Sequence, residues 1–296
     1  MLVFFAIFSG LVGAVVGSFS VAQVWRLRAS QLSADKKSGQ KIDQKEWSRL
    51  KSLVGVRAKN DRSHCLNCGY VLRGRDLVPV FSWLALRGKC RKCHTPIGML
   101  EFLVEILSAG IFVALFLSFG FDFSSEISGW KIARLLVLFV SMIPLIVMFV
   151  YDAKWSLLPT KTLWIFNFLA VIYFALGFFE IGWEKFDLLN FAISMLFFPG
   201  LYLALTLISK GAWVGDGDWI LAFGLILLIP NSPIFAALLL LFSNLIGIAT
   251  ILLAGIFQKK KIERGAQIPF GPSMILACML MLIFMNFLKD FLIFVM

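Results

Sequence analysis

The sequence predicts an all-α fold, a polytopic membrane bundle of about eight transmembrane helices with one cytoplasmic insert. Of its 296 residues, 60% are hydrophobic and only 15% are charged, whereas a soluble domain is about 45–50% apolar and about 25% charged. Apolar runs long enough to cross a bilayer recur along the chain. The hydrophilic residues are concentrated in a single long stretch that follows the first of these runs.

Seven segments have the length of about 18 apolar residues that a transmembrane helix needs. They are residues 2–24, 100–120, 132–150, 162–179, 188–209, 233–257 and 272–294. A shorter run, 219–230, is bounded by turn-forming residues and makes an eighth helix. The first segment lacks the basic start and the small-residue cleavage site of a signal peptide. We therefore expect it to be a permanent helix.

These segments divide the chain into three parts. Residues 1–27 contain the first transmembrane helix, residues 28–99 form the cytoplasmic insert, and residues 100–296 form a seven-helix membrane domain. The first part of the insert, residues 28–60, is polar and has few apolar residues before position 47. Within 47–54 the apolar residues recur at the spacing of a helix. We expect a solvated linker with one short surface helix there.

The basic residues orient the predicted helices, because lysine and arginine are retained on the cytoplasmic side. If the N-terminus lies outside the cytoplasm, all but four of the 28 basic residues fall in cytoplasmic segments. Both termini are therefore predicted to lie outside. This orientation accounts for the net charge of +11, helped by attraction to anionic lipid headgroups. No nucleic-acid partner is expected, because neither a recognised binding fold nor interleaved aromatic residues accompany the charge.

Two CxxC motifs lie in the insert, formed by Cys65 with Cys68 and by Cys90 with Cys93. Paired motifs at this separation are typical of zinc ribbons, in which four thiolates bind one ion. Disulfide bonds are the alternative, but they seldom persist in a reducing cytoplasm. We therefore predict a zinc site made by the four cysteines.

Other residues near these motifs have simpler predicted roles. His64 and His94 adjoin the cysteines, but four thiolates already fill a tetrahedral shell. We therefore expect the two histidines to lie beside the ligands or to be exposed, and not to bind the ion. Gly69 and Gly88 are expected to relax the backbone beside the motifs. Cys278, inside the last helix, is expected to be a small packing residue.

Three aspartates stand at the ends of predicted helices. Asp152 follows the segment 132–150, and Asp216 and Asp218 precede the run 219–230. Ionisable groups at membrane depth are costly and usually serve a function. The predicted orientation brings them to the cytoplasmic face, where two carboxylates could share a proton and activate water, as in aspartic proteases. Gly215 and Gly217 would permit close approach.

The residues alone leave simpler roles open for these aspartates. Asp216 could cap the helix that follows it, because an aspartate there satisfies free backbone amides. Asp152 could be a surface acid paired with Lys154. Nothing in the spacing shows that the two helices are neighbours.

The motif GDGD at 215–218 resembles the GxGD signature of intramembrane aspartyl proteases, and further motifs resemble one branch, the type IV prepilin peptidases. These motifs are GSF at 17–19 followed by Arg26 and Leu27, the double CxxC insert, Glu105, Asp152 followed by LLP at 157–159, and PFGP at 269–272. The resemblance spans nearly the whole chain.

This resemblance implies an enzyme of the bacterial inner membrane with its active site at the cytoplasmic face. Asp152 and Asp218 would be the catalytic pair, and Asp216 would occupy the variable position of GxGD. The family cleaves the basic leader from prepilins and pseudopilins, which belong to type IV pili and type II secretion. Many members then methylate the new N-terminal amine, so S-adenosylmethionine is expected besides zinc. The chain has Ile220 at a position where the family often has a lysine. This difference from the family affects neither Asp152 nor Asp218.

Glu105 is a further candidate, either for methyl transfer or for holding the insert against the bundle. It lies one helical turn after Glu101, and both acids could instead pair with basic loop residues. Two other classes of protein remain alternatives. A transporter would carry acids within its helices and an internal repeat, and a zinc-binding assembly or scaffold protein would not require the GxGD motif.

Overall fold

The computed structural model describes residues 1–55, 62–124, 127–182, 186–258 and 269–295. The basic cluster at 259–264, which helped to predict the orientation, lies outside these ranges. Apart from two isolated β-bridges, the regular elements are helical, which confirms the all-α class. The α-helices are α1 (Leu2–Lys37), α2 (Gln44–Leu50), α3 (Phe81–Ala85), α4 (Met99–Ser118), α5 (Gly129–Trp155), α6 (Thr160–Ile181), α7 (Leu188–Met195), α8 (Leu201–Ser209), α9 (Asp216–Ile226), α10 (Pro233–Gln258), α11 (Gly271–Ile283) and α12 (Met285–Val295).

Six helical segments in the described ranges are long and apolar enough to cross a membrane. They are Leu2–Lys37, Met99–Ser118, Gly129–Trp155, Thr160–Glu180, Leu188–Ser209 and Pro233–Leu253. The pair α11 and α12, bent by 71°, makes a seventh if it counts as one span. The predicted eighth helix, α9, has 11 residues and is about 16 Å long. Alone, it is shorter than a hydrocarbon core of about 30 Å, so it is not among the spans recognised by length.

The segment Leu188–Ser209 contains a local widening of the helix. Between α7 and α8, residues Leu196–Gly200 form one π-helical turn that includes Pro199. Proline lacks the backbone N–H that an α-helix needs. The wider turn accommodates this defect while the span remains continuous.

The chain forms two compact units, one of residues Ile7–Val113 and one of Met1–Ala6 with Ala114–Met296. In the first unit, α1 packs closely against α4 through small residues. A Cβ atom on Gly13 would lie 2.6 Å from the carbonyl oxygen of Ser108, and one on Gly17 would lie 2.8 Å from the Ser108 hydroxyl. The GSF motif therefore begins at a helix–helix contact that excludes larger residues.

The predicted surface helix of the insert is present as α2, and its C-terminal end packs against α1. Its Leu50 is buried against Ala29 and Leu32 of α1. Arg28 of α1 also pairs with Glu46 at 2.7 Å. These contacts explain why α1 continues to Lys37, well beyond the predicted apolar run.

In the second unit, α9 lies against α6 and is fixed there by one polar side chain. Asn167 of α6 donates from Nδ2 to the backbone carbonyl of Ile220 at 3.0 Å. A Cβ atom on Gly224 would overlap Phe166 of α6. This close packing sets the position of the first turn of α9, which carries the aspartates.

Candidate active site

Asp152 lies in the last turn of α5, and its side chain is buried. The backbone N–H of Gly271, at the start of α11, donates to Asp152 Oδ2 at 3.0 Å. The residue is only 4% exposed, so the interpretation of Asp152 as a surface acid is wrong. Helix α5 ends three residues later, at Trp155. The next residue, Ser156, adopts a left-handed conformation with φ of 51°.

Asp218 lies in the first turn of α9 and is also buried. Its Oδ2 accepts a hydrogen bond from the backbone N–H of Gly215 at 3.0 Å. Gly215 is the residue that caps the helix, and Asp216 is the first helical residue and is exposed. The alternative in which Asp216 caps α9 is therefore wrong, because the carboxylate that satisfies the helix start belongs to Asp218.

Leu158, in the turn between α5 and α6, lies close to both Gly217 and Gly271, the glycines next to the two carboxylates. A Cβ atom on Gly217 would lie 3.0 Å from Leu158 Cβ, and one on Gly271 would lie 3.3 Å from Leu158 Cδ2. Asp152 is also close enough to Asp218 for their charges to interact. The described fold thus places Asp152 and Asp218 in one buried site, whereas Asp216 is exposed.

Two residues near this site were given no role of their own in the sequence analysis. Gly271 was part of the PFGP motif, but its amide contact with Asp152 joins residues 119 positions apart. Tyr202 of α8 is buried, lies near Asp218 and has its ring centroid 5.7 Å from that of Phe270. A glycine followed by proline at a helix start was the available signal for Gly271. No sequence pattern singled out Tyr202.

The four cysteines of the insert come together as predicted. Their Sγ atoms all lie within 4.8 Å of one another. The sulfur atoms of Cys65 and Cys93 are 3.8 Å apart, and those of Cys68 and Cys90 are 4.0 Å apart. These distances are far longer than a disulfide bond of about 2.05 Å. They match the separation of about 3.8 Å between thiolates that bind tetrahedral zinc at about 2.3 Å, so the residues fit a zinc ion.

The two CxxC motifs have the same backbone geometry. The backbone N–H of Gly69 donates to the Cys65 carbonyl at 2.9 Å, and the N–H of His94 donates to the Cys90 carbonyl at 3.0 Å. Both Gly69 and His94 are left-handed, with φ of 69° and 57°. The position equivalent to Gly69 is thus occupied by His94, not by Gly88, which precedes its motif.

Hydrogen bonding and burial give the thiols of Cys93 and Cys65 different pKa values. A hydrogen bond to the Thr95 hydroxyl is the main cause that lowers the pKa of Cys93 to about 5. Burial raises the pKa of Cys65 to about 11. The carboxylate of Asp76 holds Arg91, the neighbour of Cys90, at 2.6 Å. Burial opposes the ionisation of Asp76, but the hydrogen bond from Arg91 helps to lower its pKa below the usual value.

Glu105 is buried in α4 and holds one residue of the insert. Its Oε2 accepts a hydrogen bond from the backbone N–H of Val80 at 2.7 Å. Val80 has φ of 64°, a conformation that is strained for a β-branched residue. The carboxylate of Glu105 therefore stabilises a strained turn just before α3.

Comparison with known proteins identifies relatives along most of the chain. The family model of the bacterial peptidase A24 N-terminal domain matches residues 11–119. The prepilin leader peptidase/N-methyltransferase of Aeromonas hydrophila is 32% identical over 227 residues, which cover 73% of this chain and 69% of the relative. The protein of that name from Stutzerimonas stutzeri is 28% identical over 222 residues, with the same coverage of both chains.

A third relative covers less of the chain. The type 4 prepilin-like proteins leader peptide-processing enzyme of Escherichia coli O78:H11 is 31% identical over 127 residues, or 42% of each chain. No solved structure matches. The extent of the similarity to the Aeromonas protein, together with the matching N-terminal domain, shows that the chain belongs to the prepilin leader peptidase/N-methyltransferase family.

Proposed function

We propose that the protein is a membrane aspartic endopeptidase that cleaves the basic leader peptide from type IV prepilins and pseudopilins. The names of its relatives describe leader peptide processing. The observation that carries the aspartyl mechanism is that Asp152 and Asp218 are buried, interact electrostatically and are each held by a glycine amide. Such fixed carboxylates are suited to acid–base chemistry on a peptide bond.

The proposed reaction uses one ionised and one protonated carboxyl group. The ionised carboxylate takes a proton from water while the water oxygen attacks the scissile carbonyl carbon. The protonated carboxyl group donates its proton towards the carbonyl oxygen. The tetrahedral intermediate then collapses and the C–N bond breaks. The leaving nitrogen takes the proton that the first carboxylate removed from water and becomes the new N-terminal amine, and a hydroxyl proton of the intermediate returns to the second carboxylate. The amides of Gly215 and Gly271 hold the two carboxylates in place throughout.

We propose that the same protein methylates the new amine with S-adenosylmethionine, which supplies an electrophilic methyl group. Four cysteines would hold one zinc ion in the insert, namely Cys65, Cys68, Cys90 and Cys93. Four thiolates leave no open coordination position, so this zinc would stabilise the fold and take no part in hydrolysis. The protein would lie in the bacterial inner membrane with its active site at the cytoplasmic face.

Co-expression with a candidate prepilin tests the aspartyl mechanism, with leader loss and the added methyl group scored by mass. Asp152→Asn and Asp218→Asn each keep an oxygen that can accept the glycine amide, so both variants should fold. Each should slow cleavage by about 10²–10⁴-fold, because proton transfer is lost. The matched control is Asp216→Asn, which changes an exposed aspartate in the same turn and should cleave normally. Cleavage at the wild-type rate by either of the first two variants would refute the mechanism.

The same experiment addresses the transporter and scaffold alternatives. Either of these proteins would leave the prepilin leader attached when the prepilin and the wild-type protein are expressed together. Full-length prepilin in the presence of correctly inserted wild-type protein would therefore favour one of them.

A further inference from the structure

A large cavity lies within the unit Ile7–Val113, and the proposed hydrolysis does not use it. Its volume is about 660 Å³, and it is lined by residues of α1, of the insert and of the start of α4. Cavities of about 300–1,000 Å³ are typical of sites for small molecules and cofactors. Its lining includes Cys65 and Cys90 of the cysteine cluster, but none of the residues of the aspartate site.

Two buried polar atoms on the cavity wall have no hydrogen-bond partner among the described residues. They are Nε1 of Trp83 and Oε2 of Glu101. Leaving such an atom unpaired costs about 1–3 kcal/mol, so each of them points to a missing ligand group. Glu101 offers a negative acceptor, and Trp83 offers a neutral donor.

Both side chains are held in place by their neighbours. Trp25 donates from Nε1 to Glu101 Oε1 at 3.1 Å, which fixes the carboxylate. The Trp83 ring stacks on Phe102 with centroids 4.3 Å apart, and a Cβ atom on Gly88 would lie 2.7 Å from Trp83 Cζ2. The Trp83 ring is thus fixed by its neighbours, while its N–H has no hydrogen-bond partner among the described residues. Fixed groups of this kind are suited to selective recognition.

We propose that this cavity binds S-adenosylmethionine, with Glu101 facing its positively charged sulfonium group and Trp83 donating to one of its oxygen atoms. The lining includes Arg49 and Arg91, which suit the ligand's carboxylate. This assignment rests on the methyl-transfer half of the proposed function. In that transfer, the amine lone pair forms the new N–C bond, the S–C bond breaks with its electrons staying on sulfur, and a proton leaves the nitrogen to water.

Calorimetric titration of the purified full-length protein tests the assignment, with S-adenosylmethionine and the neutral product S-adenosylhomocysteine as probes. Glu101→Gln should weaken the binding of S-adenosylmethionine about tenfold, the effect of roughly 1.4 kcal/mol. It should weaken the binding of the product much less, because the product lacks the sulfonium charge. Trp83→Phe keeps the stacking on Phe102 and should weaken both probes. The matched control is Glu46→Gln, which removes a carboxylate of the same unit outside the cavity wall and should bind both probes like the wild type.

The outcomes separate this inference from the proposed function. Zinc content equal to that of the wild type identifies variants that are folded. If folded Glu101→Gln binds S-adenosylmethionine as tightly as the wild type, or loses both probes equally, the assignment of the cavity is wrong while methyl transfer stands. If the wild type neither binds S-adenosylmethionine nor methylates a cleaved prepilin, the proposed methyl transfer itself fails.

Discussion

At the scale of single residues, the aspartate site depends on glycines as much as on carboxylates. Gly271 approaches Asp152 so closely that an added Cβ atom would lie 2.7 Å from Oδ2, nearer than real Cβ atoms come to other atoms. The same residue supplies the amide that holds this oxygen. The position therefore requires both a free N–H and the absence of a side chain.

Gly271→Ala is expected to displace the Asp152 carboxylate and slow leader cleavage by up to about 100-fold, because a shift of about 1 Å at a catalytic group can cost that much. The rate of leader loss measures the effect. A suitable control is Gly129→Ala in α5, where nothing lies within 4 Å of the added carbon. Equal rates for the two variants would contradict the role given to Gly271.

Glu105 allows a test that separates charge from geometry. If it acts by holding the strained Val80, Glu105→Gln should behave almost like the wild type, because the amide oxygen can still accept the Val80 N–H. Glu105→Ala should then loosen the turn before α3 and lower methylation. If the charge itself matters for methyl transfer, Glu105→Gln should lose methylation while leader cleavage continues. Wild-type cleavage and methylation in both variants would remove any functional role for Glu105.

At the scale of elements, we expect a metal ion to stabilise the insert. Between its two CxxC motifs the regular helices are limited to one 3₁₀ turn (Gly74–Asp76) and the five residues of α3. Such small segments are usually ordered by a bound metal. The insert and the membrane helices should therefore differ in their response to chelators.

Cys65→Ser is expected to reduce bound zinc from about one ion per chain to nearly none and to make the insert sensitive to proteases. Elemental analysis and limited proteolysis measure these two effects. The fifth cysteine gives the control, because Cys278→Ser lies in α11 outside the cluster and should retain the metal. Full zinc content in Cys65→Ser would show that the four thiolates do not form the site.

Part of this arrangement could be predicted from the sequence, because some signals are local. The CxxC motifs and the apolar runs show in short windows, so the cysteine cluster and the helical class were accessible. The contact between Asp152 and Gly271 depends on how α5 and α11 pack, which no local pattern contains. The length of α1 beyond its apolar run was also missed, since it depends on packing against Leu50.

At the scale of the whole molecule, the charge distribution makes a prediction about topology. Both termini should lie outside the cytoplasm if α9 counts as an eighth crossing, because nearly all basic residues then face inward. A single cysteine added at either terminus of a cysteine-depleted variant should react with a membrane-impermeant thiol reagent in intact spheroplasts. A single cysteine at exposed Ser48 of the insert should react only after lysis. The reverse pattern of labelling would invert the topology.

The length of α1 has a mechanical consequence. As one unbroken helix of 36 residues, it measures about 54 Å, whereas the hydrocarbon core is about 30 Å thick. About 20 Å of the helix would therefore extend beyond the hydrocarbon core into the aqueous phase as a rigid rod. A change of 10° in its tilt would swing the aqueous end by roughly 9 Å at this length. Membranes of different thickness change helix tilt. Lipid composition should therefore change the position of the insert, because the insert is attached to the aqueous end of α1.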